Sequence, residues 1–105
     1  MSIEELKQRL AAQVTVVDGW RLAKLNAADG MAYSKLFSDV PDDAPFEQLA
    51  NAYAFLLSKC VVDDQGNKTL DSDEGRELLQ RLDRDTFCKL GEAAIAWNLG
   101  DAKKN

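Results

Sequence analysis

The stretch "FEQLANAYAFLLSKC", residues 46–60, constrains the fold more than any other part of the chain. Large side chains recur at helical spacing along one side of it. These residues are Phe46, Leu49, Tyr53, Leu57 and Cys60. Alanines and further apolar residues widen that stripe almost all round. These are Ala50, Ala52, Ala54, Phe55 and Leu56. A helix that is apolar on nearly every side belongs inside a domain, so we predict that it is the central core helix.

A β-hairpin is predicted by the apolar stretch "VTVVDGWRLAKL", residues 14–25, which Asp18 and Gly19 interrupt. Asp-Gly between two β-branched or aromatic runs favours a two-residue turn, because both turn positions need positive φ. This turn sets the register of the hairpin. The predicted pairs are Val17 with Trp20 and Thr15 with Leu22. Both faces of the hairpin are largely apolar, and a lone hairpin is marginal in water. We therefore expect helices to cover at least one face.

One further helix is predicted before the hairpin and one after it. Ser2 and Glu5 have the spacing of a capping box, which starts a short amphipathic helix that ends near Ala12. Asn26 can cap a helix through "AADGMAYSKLF", and the loop "SDVPDDAP" follows it. Pro45 suits the first turn of the core helix. The apolar side of the Asn26 helix is predicted to consist of Met31, Tyr33, Leu36 and Phe37.

The C-terminal half is predicted to contain two more helices. Asp71 or Ser72 caps the first, with Leu78, Leu79 and Leu82 facing inward. Val61-Val62 and Thr69-Leu70 are expected to pair briefly before it. Asp85 is expected to cap the last helix, "TFCKLGEAAIAWNL", which Gly100 ends. The predicted fold class is therefore mainly α (α+β), with four to five short helices packed with a small N-terminal hairpin. We expect one domain over residues 1–100 and a flexible tail over 101–105.

Composition excludes several classes of function. The 105 residues carry a net charge of −5, which argues against binding to duplex DNA, other nucleic acids or an anionic membrane. No run reaches the roughly 18 apolar residues of a membrane span. The first residues lack the apolar core of a signal peptide, so a cytoplasmic location is expected. The chain contains no histidine, which removes Ser-His and Cys-His catalysis and histidine zinc sites. We expect no enzyme activity, no cofactor, and two reduced cysteines, Cys60 and Cys88.

A calcium loop is the one chemical site that the sequence suggests, in "CVVDDQGNKTLDSDEGRELL", residues 60–79. With Asp63 at loop position 1, oxygen-bearing side chains fall at positions 3, 5, 9 and 12. These are Gln65, Asn67, Asp71 and Glu74. Lys68, however, takes position 6, where the sharp turn of an EF-hand needs glycine. Placing Gly66 at position 6 loses both defining carboxylates. We therefore interpret the segment as a solvated turn before an acidic helix start, and a calcium- or ligand-sensing module remains the alternative.

Three stretches resemble the small tail assembly chaperones of long-tailed bacteriophages. They are "VTVVDGWRLAKLNAAD", "LANAYAFLLSKCVVDDQGNKTLDSDEGRELLQRL" and "DTFCKLGEAAIAWNL". The first looks like the apolar hairpin of that family, the second like its helix, turn and acidic helix start, and the third like its closing helix. The likeness covers most of residues 14–99. One departure is Leu70, where the family often has an aromatic residue.

This resemblance implies a non-enzymatic role in phage or prophage tail assembly. Such proteins bind the aggregation-prone tape measure protein, help tail tube protein assemble around it, and are absent from the finished virion. A homo-oligomer is also possible for such a chain, and a host protein-protein interaction domain is a further alternative. The last helix is the candidate partner contact. Its contact residues are Leu90, Gly91, Ala94, Ile95 and Trp97, with Ala93 beside them. The alternative is that the same residues complete the core.

Overall fold

The computed structural model describes residues 1–11 and 13–99. Within these ranges five helices and three short strands follow one another along the chain. They are α1 (Ile3–Ala11), β1 (Val14–Val17), β2 (Trp20–Ala23), α2 (Ala27–Ser38), α3 (Phe46–Cys60), β3 (Val61–Val62), α4 (Asp73–Gln80) and α5 (Arg84–Leu99). The predicted fold class is confirmed. The predicted helix ends at Ala12 and Gly100 and the predicted tail at 101–105 lie outside the described residues.

The core is built around α3, as its sequence predicts. Eight of its side chains are buried, and Leu56 and Leu57 are fully enclosed. The hairpin, α2, α4 and α5 each contribute side chains to the same cluster. These include Leu22, Tyr33, Leu79, Phe87, Leu90, Ala94 and Ile95. The uninterrupted apolar surface of α3 therefore requires neighbours on several sides, and the hairpin, α2, α4 and α5 supply them.

The hairpin has the predicted register and gains a third strand. Val17 pairs with Trp20 and Thr15 with Leu22, and both turn residues have positive φ, at 51° and 86°. β3 adds to the far side of β2 in antiparallel orientation, giving the order β1-β2-β3. The predicted pairing of 61–62 with 69–70 is wrong, since Val62 bridges Lys68 instead. A strand of two residues has too little pattern to reveal a partner some forty positions away.

Three helix starts are confirmed by capping hydrogen bonds. The side-chain oxygens of Ser2, Asn26 and Ser72 each accept a hydrogen bond from the backbone N–H three residues later. The donor–acceptor distances are 3.1, 2.8 and 2.9 Å. These bonds satisfy amides that have no partner inside the helix. The caps fix where α1, α2 and α4 begin.

Two other helix starts differ from prediction by one or two residues. Asp83, and not Asp85, caps α5, because its Oδ2 accepts a hydrogen bond from the Thr86 N–H at 3.0 Å. The Thr86 side chain and then this backbone bond lower the pKa of the Asp83 carboxyl. Asp85 lies inside the first turn, where the helix dipole stabilises a negative charge. Pro45 occupies the N-cap position of α3, directly before the first turn.

Several apolar residues that were expected to face inward are exposed. On α2 only Tyr33 is buried, while Met31, Leu36 and Phe37 are 75%, 37% and 41% exposed. On α4, Leu79 is buried but Leu78 is 46% exposed. The predicted inward positions are therefore wrong for these four residues. α2 lies at the periphery and packs on α3 along one narrow side, which leaves part of its apolar surface uncovered.

Candidate functional site

The predicted contact residues on α5 form core packing and not an exposed surface. Leu90, Ala94 and Ile95 are at most 6% exposed, and Gly91 is buried as well. Only Trp97 keeps partial exposure. Four of the five residues lie against the rest of the chain, as the core-packing alternative predicts, and their contact with a partner stays a prediction. A partner could reach Leu90, Gly91 or Ala94 only if α5 left the core.

Gly91 shows why small residues occur in this helix. A Cβ atom at this position would lie 2.5 Å from Cδ2 and 2.9 Å from Cγ of the Tyr53 ring. Carbon atoms in contact normally stay about 3.5–4.0 Å apart. The absence of a side chain therefore lets α5 approach α3 of the same chain. The close helix approach that the sequence predicts does exist, but it is internal.

Trp97 and Asn98 join the end of α5 to the hairpin. The indole Nε1–H of Trp97 donates to the Gln13 carbonyl oxygen at 3.3 Å, and the Lys24 ammonium lies 4.9 Å from the indole centroid. Asn98 Oδ1 accepts a hydrogen bond from the Leu25 N–H at 2.6 Å. Sequence reasoning assigned no role to Asn98. The only available signal was a polar residue on the apolar side of the last helix.

Asn98 also contacts the buried thiol of Cys60. Its Nδ2 donates to the Ala94 carbonyl oxygen at 2.9 Å and lies 3.5 Å from Cys60 Sγ. Burial raises the pKa of the Cys60 thiol to about 12, and the Asn98 contact opposes that shift. A thiol held so far above its usual pKa stays protonated and unreactive near neutral pH. Cys88 is half-buried and not disulfide-bonded.

The acidic loop after β3 is closed by its own backbone. Asp63 Oδ1 accepts hydrogen bonds from the Gln65 and Asn67 amides at 2.8 and 2.9 Å. The Asn67 bond and then the Gln65 bond lower the pKa of the Asp63 carboxyl. Asp71 turns away toward Lys59, with 2.6 Å between carboxylate and ammonium. In the described part of the chain, no three side chains of the metal-binding types come together.

An apolar groove between α2 and α5 is the candidate functional site. Its volume is about 540 Å³, within the range of binding sites in proteins. Large apolar side chains line most of it. They are Leu25, Met31, Tyr33, Leu56 and Ile95. Ile95 is the one predicted contact residue found here, although only 6% of it is exposed. Met31, at 75% exposed, forms an accessible wall with an adaptable side chain.

Small residues on α2 create this groove. Ala27, Gly30 and Ser34 line it and recur at helical spacing, so they share one side of the helix. A Cβ at Gly30 would meet only Leu25 Cβ, 4.0 Å away, so there is open space at this point. α2 and α5 therefore leave a space that larger side chains would have filled. This spacing is the sequence signal for the groove.

The described residues that line the groove carry no charged side chain. Asp29 on α2, next in sequence but outside the lining, pairs with Lys68 at 2.6 Å, which connects α2 to the loop after β3. Lys24, which precedes the lining residue Leu25, lies over the Trp97 ring. The groove itself is therefore suited to an apolar partner surface.

A second cleft, of about 570 Å³, lies at the hairpin turn beside the loop after β3. Asp18 in this cleft pairs with Lys89 at 2.7 Å. Arg21 Nε is buried without a hydrogen-bond partner among the described residues, and the exposed Asp64 carboxylate lies 3.9 Å from it. Its lining is also more polar than that of the groove. The groove between α2 and α5 is therefore the better candidate for a binding site.

Comparison with protein-family models, curated proteins and solved structures gives no match. Among the described helices, none has the length and apolar character that crossing a membrane requires.

Proposed function

We propose that this chain is a phage tail assembly chaperone that holds apolar helical segments of the tape measure protein. The observation that carries the proposal is the open apolar groove between α2 and α5. A helix with residues at i, i+3, i+4 and i+7 on one apolar face can lie in such a groove. Binding would cover that face and keep the client from aggregating.

The proposal moves the client contact from the buried side of α5 to the groove. Met31 forms its exposed wall, and Ile95 and Leu56 form its floor. The methionine side chain is flexible and polarizable, so it adapts to different apolar partners. A chaperone that holds more than one apolar helix of its client needs this tolerance. The protein would act in the host cytoplasm before the tail is complete.

Co-expression with a fragment of a tape measure protein tests this function. The wild-type chain should keep the fragment soluble, and Met31→Asp should weaken its binding about tenfold or more, because a charge replaces apolar contact area. Met31 is 75% exposed, so the substitution should not unfold the domain. Leu90 and Ile95 do not suit this test, since their substitution by aspartate would disrupt the core.

Leu78→Asp is the matched control. Leu78 is also an exposed apolar residue, but it lies on α4 outside the groove. It should leave client solubility unchanged, and both variants should melt like the wild type. If the wild-type chain does not change the solubility of the fragment, the proposed function is wrong. If Leu78→Asp has the same effect as Met31→Asp, the groove is not the binding site.

A further inference from the structure

Two Asp-Gly dipeptides occur in this chain, Asp18-Gly19 and Asp29-Gly30. An aspartate followed by glycine is prone to spontaneous isomerisation, because no side chain hinders attack of the glycine nitrogen on the aspartyl carboxyl group. Local sequence therefore makes the two sites nearly equivalent. The structure places them in different environments, since one forms the hairpin turn and the other lies in the first turn of α2.

The Asp18-Gly19 turn is exposed and open. The Asp18 side chain is 61% exposed, and a Cβ atom at Gly19 would meet nothing within 4 Å. Strand pairing begins at Val17 and Trp20, so the Gly19 N–H lies outside the ladder and donates no backbone hydrogen bond within the described residues. Asp18 has a φ of 51°, which is unfavourable for a residue with a Cβ. The tip of the hairpin can therefore open without uncovering the core.

Asp29-Gly30 is held by its neighbours in the helix. The Asp29 side chain is 17% exposed, and its carboxylate lies 2.6 Å from the Lys68 ammonium. The Asp29 N–H donates to Asn26 Oδ1 at 2.8 Å, and the Gly30 N–H donates to the Asn26 carbonyl oxygen at 2.9 Å. The amide that would have to react is thus hydrogen-bonded, and its attack requires the capped first turn of α2 to unwind.

We propose that Asp18 is a site of spontaneous isoaspartate formation in the folded protein, and that the fold protects Asp29 from the same reaction. The Gly19 nitrogen attacks Cγ of the Asp18 carboxyl group, and the carboxyl O–H leaves as water together with the amide proton. The product is a succinimide ring. Water then adds to the backbone carbonyl carbon of Asp18 and breaks its bond to the Gly19 nitrogen, which stays attached to Cγ. One water leaves and one returns, so the mass and the number of carboxyl groups are unchanged.

Lys89 on α5 slows this reaction. Its ammonium lies 2.7 Å from Asp18 Oδ2, and the carboxyl group has to leave this pair before the Gly19 nitrogen can reach Cγ. The two side chains are 59% and 61% exposed, and an ion pair so open to water contributes little. The pair therefore restrains the carboxyl group without preventing the reaction.

Isomerisation alters the hairpin where its geometry is most restricted. The isoaspartyl linkage runs through Cβ and Cγ, so it adds one atom to the main chain between Asp18 and Gly19. The two-residue turn, with positive φ at both positions, sets the pairing of Val17 with Trp20. A longer linkage does not fit this turn. The product should therefore weaken the register that places Leu22 in the core.

Peptide mapping of the full-length chain after prolonged incubation in neutral buffer tests the inference. Trypsin places the two sites in separate peptides, residues 10–21 and 25–35, and electron-transfer fragmentation distinguishes isoaspartate from aspartate in each. In the folded protein, isoaspartate should form at Asp18 at least about tenfold faster than at Asp29, because the cap and the helical hydrogen bond must break first at Asp29. In denaturant the two rates should become similar.

Lys89→Gln gives a second measurement. It should raise the rate at Asp18 about two- to fivefold, the effect of losing an exposed ion pair, and leave the rate at Asp29 unchanged. An unchanged rate at Asp18 would overturn the role of Lys89. Similar rates at the two sites in the folded protein would overturn the whole proposal, as would no isoaspartate at Asp18 while the denatured chain reacts. None of these outcomes depends on a client, so the proposed function stands or fails separately.

Discussion

Replacing Gly91 by alanine should destabilise the protein, although alanine is the better helix former. In a free helix the change would gain about 1 kcal/mol. Here the new Cβ would lie 2.5 to 2.9 Å from three atoms of the Tyr53 ring. That ring is only 9% exposed and its centroid lies 6.1 Å from that of Phe87, so it has little room to move. Overpacking of this kind costs about 1–3 kcal/mol.

The expected net loss for Gly91→Ala is therefore about 1–2 kcal/mol, because the closest contacts place the steric cost in the upper part of its range. For a domain of this size the melting temperature should fall by about 5–15 °C. Gly30→Ala is the matched control. Gly30 is also helical, but its Cβ would meet only Leu25 Cβ at 4.0 Å. It should raise stability by about 0.5–1 kcal/mol.

Thermal melting followed by circular dichroism measures both changes. A double-mutant cycle with Tyr53→Leu adds a specific check, since a smaller and more flexible side chain should relieve part of the clash. We expect a coupling free energy of at least about 0.5 kcal/mol. An increase in melting temperature for Gly91→Ala, similar to that of Gly30→Ala, would refute the close packing of α5 on α3.

Three further outcomes are expected from the same structure. A thiol reagent should label Cys88 before Cys60 in the folded protein, because burial raises the pKa of the Cys60 thiol to about 12. Faster labelling of Cys60 would show that its side of α3 does not face the core. Asn98→Ala should lower the free energy of unfolding by about 1–2 kcal/mol, since the Leu25 N–H loses its acceptor, and an unchanged denaturant midpoint would contradict that role. Calcium titration by calorimetry should show no binding at residues 63–74, and a Kd below about 10⁻⁵ M would contradict our interpretation of that loop.

Local patterns in the sequence determined most of the secondary structure. The Asp18-Gly19 turn set the hairpin register, because its preference for positive φ is a property of two adjacent residues. The bounds of α3 followed from its continuous apolar pattern. Ser2, Asn26 and Ser72 marked helix starts, because a cap acts over only three residues. Each of these signals is complete within a few neighbouring positions.

Only the tertiary structure decided which apolar residues are exposed to solvent. Periodicity shows that Met31 and Tyr33 belong to an apolar helix, but only the packing of α2 on α3 buries one and exposes the other. Gly91 permits the close approach of another helix, but the sequence does not show whether that helix belongs to the same chain. β3 likewise finds its partner strand some forty residues earlier. Contacts between distant segments depend on the arrangement of the whole chain, so the groove between α2 and α5 appears only when α2, α3 and α5 are assembled.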